Sequence, residues 1–370
     1  MVIENSDFWR GKRVLLTGHT GFKGSWLLLW LLELGAEVWG YSLASDPAPN
    51  LFCLLEPDMK QKYRSSNCFH DYRGDITDLK ALSVLVDKAQ PDVVFHLAAQ
   101  ALVLVGYSDP LTTWSTNVQG SLNLLEALKP LTKRCAVVMI TTDKVYKNKE
   151  WFYGYRENDP LGGCDPYSGS KAAAEIAISS WRSSFCGEAA HQSPQLFIAT
   201  ARAGNVIGGG DWASYRIVPD AIRALVSFEP ISVRNPLATR PWQHVLEPLG
   251  GYLRLAEALI NQFHPPCEAF NFGPLLLSNR SVKELIETIL EYWPGQWIDT
   301  SDSSAPHEAN MLHLQIDKAY HQLGWHPRWD YTTTIERTVD WYRSQHDGAS
   351  ALACCLADLN AYTSHLSRTS

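Results

Sequence analysis

Arg13-Val14-Leu15-Leu16-Thr17-Gly18-His19-Thr20-Gly21-Phe22-Lys23-Gly24 is the stretch that decides how this chain folds. Arg13 to Thr17 reads as a buried strand, and Ser25 to Leu34, continuously apolar from Trp26 to Leu32 and closed by Gly35, reads as a helix. Between them lie the glycines of a GxxGxxG spacing. Strand, glycine turn and helix in that order form a place where an open parallel sheet can hold a dinucleotide diphosphate. Glycines permit the tight turn, let backbone approach the anion and let the helix pack close to the strand. An ordinary strand-to-helix turn is the bland alternative, and the flanking elements argue against it. Gly18, Gly21 and Gly24, with His19, Phe22 and Lys23 among them, are the expected cofactor contacts, and the bulk of His19 is expected to crowd the pyrophosphate.

Working outward, Ala36–Ser42, Asp92–Leu97, Cys135–Ile140 and Leu196–Ala201 are further apolar runs separated by helix-like stretches. Such alternation predicts a mainly parallel, doubly wound α/β sheet with right-handed crossovers. Beyond about residue 206 the pattern is irregular, with amphipathic helices expected around Val282–Tyr292 and Ile335–Tyr342. The expected division is therefore 1–205 for dinucleotide binding, 206–350 for a smaller mixed α/β substrate lobe interleaved with it, and 351–370 as a small, polar tail expected to fray or to cap a neighbouring subunit.

The chain has 370 residues, 45% of them hydrophobic, enough for a substantial core. A formal charge of −7 argues against a general nucleic-acid or anionic-membrane surface, so any phosphate contact is local. Eight cysteines without CxxC spacing suggest buried free thiols, with neither a zinc site nor a disulfide framework. The first residues are polar and acidic, unlike a secretory signal, and the Trp26–Leu32 run is far shorter than the ~20 residues of a membrane span. A cytoplasmic setting is the expectation.

Two later segments carry proton chemistry. Tyr167 and Lys171 lie one helical turn apart, so both can face one point, and an ammonium beside a phenol would lower the phenol pKa toward a usable base. Thr141-Thr142-Asp143-Lys144 follows the run ending at Ile140, where ligands bind at the carboxyl end of parallel strands. The alternative readings are a solvated helix face for the first pair and a capped turn for the second. Asp75 in Gly74-Asp75-Ile76-Thr77-Asp78 is placed either against an adenine amino group or as the cap of a helix from Leu79. Leu97-Ala98-Ala99-Gln100 offers small residues against which a flat ligand can lie. After the second strand no acid appears until Asp46, so NAD and NADP are not distinguished there.

Longer blocks carry a resemblance: Phe8–Val14, Thr17–Trp26, Gly154–Asn158, Arg202–Trp212 and Arg240–Pro248. Over nearly its whole length the chain resembles the extended short-chain dehydrogenase/reductase superfamily, and within it the 4,6-dehydratases of CDP-glucose. Lys144 is discriminating, since dTDP-glucose dehydratases have Asp-Glu where this chain has Asp143-Lys144. The resemblance implies a Rossmann-type sheet, NAD as cofactor, CDP-glucose as small-molecule substrate, and a homodimer or higher homo-oligomer. It also implies a hydro-lyase that oxidises C4, eliminates water across C5 and C6 and returns the hydride to C6, for deoxysugar and O-antigen synthesis. Thr142, Asp143, Lys144, Tyr167 and Lys171 become the expected catalytic set, with Asp143 as acid to the 6-hydroxyl and Lys144 near the C5 proton. Ile76 and Asn117 join the cofactor contacts, and Asn205, Arg240 and His307 the substrate contacts; Arg240 and His307 read equally as structural residues. Leu104 stands where relatives have arginine, Thr142 where they have serine, Val145 cysteine and Gly169 asparagine. A nucleotide-sugar epimerase or reductase, and a non-catalytic dinucleotide sensor, are the competing readings. The first needs no elimination pair, and the second would bind NAD without forming product.

Overall fold

The structure, a computed structural model, describes residues 6–45, 49–63, 67–186, 195–262, 267–301 and 311–364. Seven strands form one sheet: β1 Arg13–Thr17, β2 Glu37–Ser42, β3 Phe69–Arg73, β4 Val93–His96, β5 Cys135–Ile140, β6 Leu196–Ala203 and β7 Ala269–Phe272. Every pairing in it is parallel, and the order is β7-β6-β5-β4-β1-β2-β3. This is a Rossmann-type doubly wound sheet. Its order reverses between β1 and β4, so the glycine turn after β1 and the Leu97–Gln100 segment after β4 flank the crevice where such sheets bind ligands.

The central strands β4 and β5 are buried at every residue, as expected for strands covered by helices on both faces. The helix after the glycine turn runs Phe22–Glu33 and buries all of Gly24 to Leu32, so its apolar run reflects helices packed on its outer side. Trp26 donates its indole N–H to the Gly209 carbonyl at 3.0 Å, which joins this helix to the loop beyond β6.

Two strands depart from the sequence expectation. β3, Phe-His-Asp-Tyr-Arg, has no apolar alternation because it is an edge strand, and its Tyr72 ring stacks on Trp39 of β2 with centroids 5.8 Å apart. β7 comes from the carboxy-terminal part of the chain and completes the opposite edge, burying Phe270 and Phe272. The helices expected near 282 and 335 are Val282–Tyr292 and Tyr331–His346.

The segment expected to fray is instead a packed helix, Ala351–Ser364. Leu352, Cys355, Leu359 and Tyr362 recur at helical spacing and are all buried. Tyr362 donates its hydroxyl to Glu247 at 2.8 Å, and Arg328 donates to the Tyr362 carbonyl at 2.9 Å. The thiols are also more varied than expected: Cys135, Cys354 and Cys355 are buried, whereas Cys164 is exposed. Among the described residues no helix is long and apolar enough to cross a membrane.

Candidate active site

The helix Pro166–Phe185 begins with a capping box: Asp165 accepts from the Ser168 N–H at 3.0 Å and Ser168 answers through its own side chain. This fixes Tyr167 in the first turn, one turn before Lys171. Gly106 of the preceding short helix Val103–Ser108 packs on the Tyr167 backbone, where a Cβ would lie 3.3 Å from the Tyr167 nitrogen. At the end of β5 a single 3-10 turn, Asp143–Val145, carries the other groups. Thr142 donates to Asp143 Oδ1 at 3.0 Å and stands within hydrogen-bond reach of the Tyr167 phenol. Lys171 donates to the Ile140 carbonyl at 3.2 Å. Two separate sequence segments thus meet at one point.

Burial dominates the electrostatics. It pushes the Tyr167 phenol up to about 12; Thr142 and the Arg216 charge pull it down, and Asp143 adds to the rise. The expected lowering of this phenol by Lys171 is therefore corrected: removing a phenolate from water costs more than the surrounding cations return. Burial lowers the Lys171 amine to about 8, with Glu175 opposing. Burial also raises Asp143 above the usual carboxylate range, against Lys144, Thr142, Arg240 and Lys23. Lys23 is held down to about 8 by burial and by Arg216, with Asp143 opposing.

The glycine turn fits a dinucleotide diphosphate. Gly18 has φ +75, and a Cβ there would sit 2.7 Å from the Ala98 nitrogen; a Cβ on Gly24 would meet the Gly18 carbonyl oxygen at 2.0 Å. The helix that follows has no side-chain cap at Gly21, which leaves its first-turn amides directed at the crevice. His19 does not crowd this opening. Its ring has no accessible surface, donates its Nε2–H to the Asp71 carboxylate at 2.9 Å, and packs edge-on against Phe52 and Phe69. The ring fills the space left by Gly40, where a Cβ would come within 2.7 Å of it.

Other expected contacts are placed less directly. Asp75 accepts from the Thr77 N–H and hydroxyl, both at 2.8 Å; the cap of the helix Leu79–Ala89 is Asp78, not Asp75. The Ile76 side chain is buried against Gly120. Leu97 and Ala98 are anchored to Thr17, at 3.1 and 3.2 Å, beside the half-buried Ala99. Asn117 lies in a π-helical segment, Ser115–Gln119, and spends its amide on the Gln100 backbone and on Ser170 Oγ at 2.9 Å, so it clamps the β4 loop to the Tyr167 helix.

Of the expected substrate contacts, Arg240, on the short strand Thr239–Pro241, acts electrostatically on Asp143. Asn205 directly follows Gly204, where a Cβ would lie 2.8 Å from Asp143 Oδ2. His307, like Asp46, lies outside the described residues. Leu104 is 40% exposed, Val145 is fully buried, and Gly169 faces Trp114, so the latter two departures concern packing.

Sequence reading missed Arg216 and Glu175. Arg216 donates to Asp211 at 2.8 Å and acts on Tyr167, and nothing in its local pattern marks it. Glu175 continues the four-residue step Tyr167, Lys171, Glu175, a signal that was available. A cavity of about 970 Å³ opens beside Glu175 and Arg202, lined also by Arg156, Arg182 and Lys318; Tyr167 and Asp143 do not line it.

Residues 15–248 match the family described as GDP-mannose 4,6 dehydratase. CDP-glucose 4,6-dehydratase of Salmonella typhimurium is 43% identical over 366 residues, spanning 98% of this chain and 99% of that protein. The chain belongs to the GDP-mannose 4,6 dehydratase family. Within reach of the same comparison, CDP-paratose 2-epimerase of Salmonella typhi is 24% identical over 90% of this chain and 99% of that protein. Among solved structures, a dTDP-glucose 4,6-dehydratase from Streptomyces venezuelae with NAD bound aligns with TM-score 0.76 at 21% identity, covering 92% of this chain and 99% of that one. That likeness establishes the fold that this family member shares with it.

Proposed function

We propose that the protein converts CDP-D-glucose to CDP-4-keto-6-deoxy-D-glucose and water as an NAD-dependent hydro-lyase. The relative from Salmonella typhimurium supports the nucleotide and the sugar. The observation that carries the reaction type is the buried Asp143, its pKa raised, standing beside the Tyr167–Lys171 pair. An epimerase or reductase needs the pair but has no use for a buried acid at that place.

In this reading Gly18, Gly21, Gly24 and the first-turn amides hold the dinucleotide diphosphate, Leu97 to Gln100 border the cofactor and Lys171 orients it. When bound, NAD would supply the acceptor for the C4 hydride and the donor for its delivery to C6. Tyr167 takes the proton of the 4-hydroxyl as phenolate, a form that the positive charge of a bound nicotinamide and the Lys171 ammonium would favour against burial, with Thr142 fixing that hydroxyl. The 4-ketone makes the C5 hydrogen acidic, and Lys144 takes it as a proton. Asp143 gives its proton to the departing 6-hydroxyl, which leaves as water. C5 regains a proton from Lys144, and the proton taken by Tyr167 passes to the Asp143 carboxylate, so protons and hydride both balance and each residue ends as it began. Arg240 and Asn205 are assigned to the nucleotide diphosphate.

The same reading sets the enzyme in the cytoplasm, supplying deoxysugars for O-antigen. It works as a homodimer, for which Tyr107, Leu111, Trp114 and Ile176 offer exposed apolar side chains on neighbouring helices. Incubation with CDP-glucose and NAD in deuterated water, followed by mass spectrometry, tests the reaction. Loss of water with one deuterium at C5 is expected. Unchanged CDP-glucose would reject the substrate, and NAD binding without any turnover would favour the sensor.

A further inference from the structure

Glu175 is a carboxylate with 3% of its surface exposed, in the middle of the Tyr167 helix, and it has no part in the proton transfers above. It accepts four hydrogen bonds. Thr141 donates to Oε1 at 2.6 Å, Thr200 to Oε2 at 2.9 Å, and Arg202 closes a two-pronged pair with 2.9 Å to each oxygen. Burial works against this charge, but Arg202 and both hydroxyls hold the carboxyl below the usual range, so Glu175 is ionised at neutral pH.

We propose that Glu175 is the positioning residue of this site, fixing the end of β5 that carries Thr142, Asp143 and Lys144 while facing Lys171 with a permanent negative charge. Thr141 is the residue directly before the 3-10 turn's cap, so a 2.6 Å bond from it to the Tyr167 helix sets the distance between the two halves of the site. Arg202 extends the same anchor. It donates to the Tyr146 hydroxyl at 2.9 Å and to the Glu157 carbonyl at 3.0 Å, and Tyr146 donates on to Asn271 of β7 at 2.7 Å. Three strands and the helix therefore share one buried ionic node.

The charge has a separate effect. Lys171 is faced by Glu175 and Tyr167 from its own helix, by the Ile140 carbonyl from β5, by His96 from β4 and by Lys23 from the glycine-turn helix. Among these, Glu175 is the group that opposes the lowering of the Lys171 amine by burial. Without it the amine loses its proton at a lower pH, and the ammonium that orients cofactor and phenol is lost earlier.

This proposal rests on the dehydratase reading, and the test separates the two. Wild-type turnover of CDP-glucose measures that reading alone; the variants are scored against it. Glu175→Gln is expected to lower kcat by about tenfold or more with KM changed little, and to move the alkaline limb of the kcat–pH profile down by about one unit. Glu175→Asp, which keeps the charge but shortens the reach, is expected to lose kcat while keeping the limb where the wild type has it. Because Gln leaves Arg202 buried and unpaired, Glu175→Gln/Arg202→Met removes both members and keeps the test open if the single variant does not fold. A folded single or double variant with wild-type kcat, or with lowered kcat and an unmoved limb, would overturn the proposal.

Discussion

Burial raises the Asp143 carboxyl above the usual carboxylate range, favouring the proton that the acid role needs, against four neighbouring groups that favour its anion. Asp143→Asn removes that proton while keeping the size, so dehydration of CDP-glucose is expected to fall by about 10²-fold or more, read as 4-keto-6-deoxy product by mass spectrometry. Undiminished turnover would reject Asp143 as the acid. Lys171 gives the pH limit from the other side. Its amine titrates at about 8, so kcat is expected to decline above that value as the ammonium is lost, in a profile of initial rate against pH. The convergence of Tyr167, Lys171, Thr142 and Asp143 was legible in the sequence, since they carry recognisable types at recognisable spacings. The direction of the Tyr167 shift was not, because desolvation depends on how many atoms from distant segments surround the phenol. The His19 ring misled for a related reason: local sequence shows its bulk but not the Gly40 recess that receives it.

Among elements, the glycine turn and the helix behind it behave as one rigid piece. The Cβ of Gly24→Ala would stand 2.0 Å from the Gly18 carbonyl oxygen, a contact between backbones that no rotamer change relieves. That variant is expected to lose NAD binding by about tenfold or more in calorimetry, because the first-turn amides are displaced. Gly21, whose Cβ would make contact no closer than 3.4 Å, has more room. The strands that were legible, β1, β2, β4, β5 and β6, are apolar because helices cover them. β3 is polar because it is an edge, and β7 is only four residues long, so neither leaves a strong periodic signal. The terminal helix was overlooked because its buried stripe mixes Cys and Tyr with Leu, a composition that reads as small and polar when taken residue by residue.

At the scale of the whole molecule, Glu247 joins the helix Leu246–Asn261 to the terminal helix. It accepts the Tyr362 hydroxyl and the Trp329 N–H at 2.8 and 2.7 Å. Burial raises its carboxyl from 4.5 to about 7, with those hydrogen bonds opposing. A raised carboxyl means that the folded state binds the proton more tightly. Its contribution to stability is complete below pH 4.5 and is lost as pH rises through about 7, by about 3 kcal/mol in all. Chemical denaturation at pH 5 and pH 8 is expected to show a change in stability that is more negative in the wild type than in Glu247→Gln by roughly this amount. Comparing the two proteins removes what other buried groups contribute in both: His96 and His244, lowered to about 3, act in the opposite direction, and Glu257 and Asp358, raised to about 7, act in the same one.

The position of β7 has a temporal meaning. β6 pairs with β5 on one side and with Ala269–Phe272 on the other, so the sheet lacks its last strand until the chain has been made well past residue 272. During synthesis the first two hundred residues therefore wait on the ribosome with an open strand edge, exposed to chaperones and to neighbouring nascent chains. A gene cut after residue 205 is expected to yield insoluble protein, however complete its dinucleotide motif looks on paper.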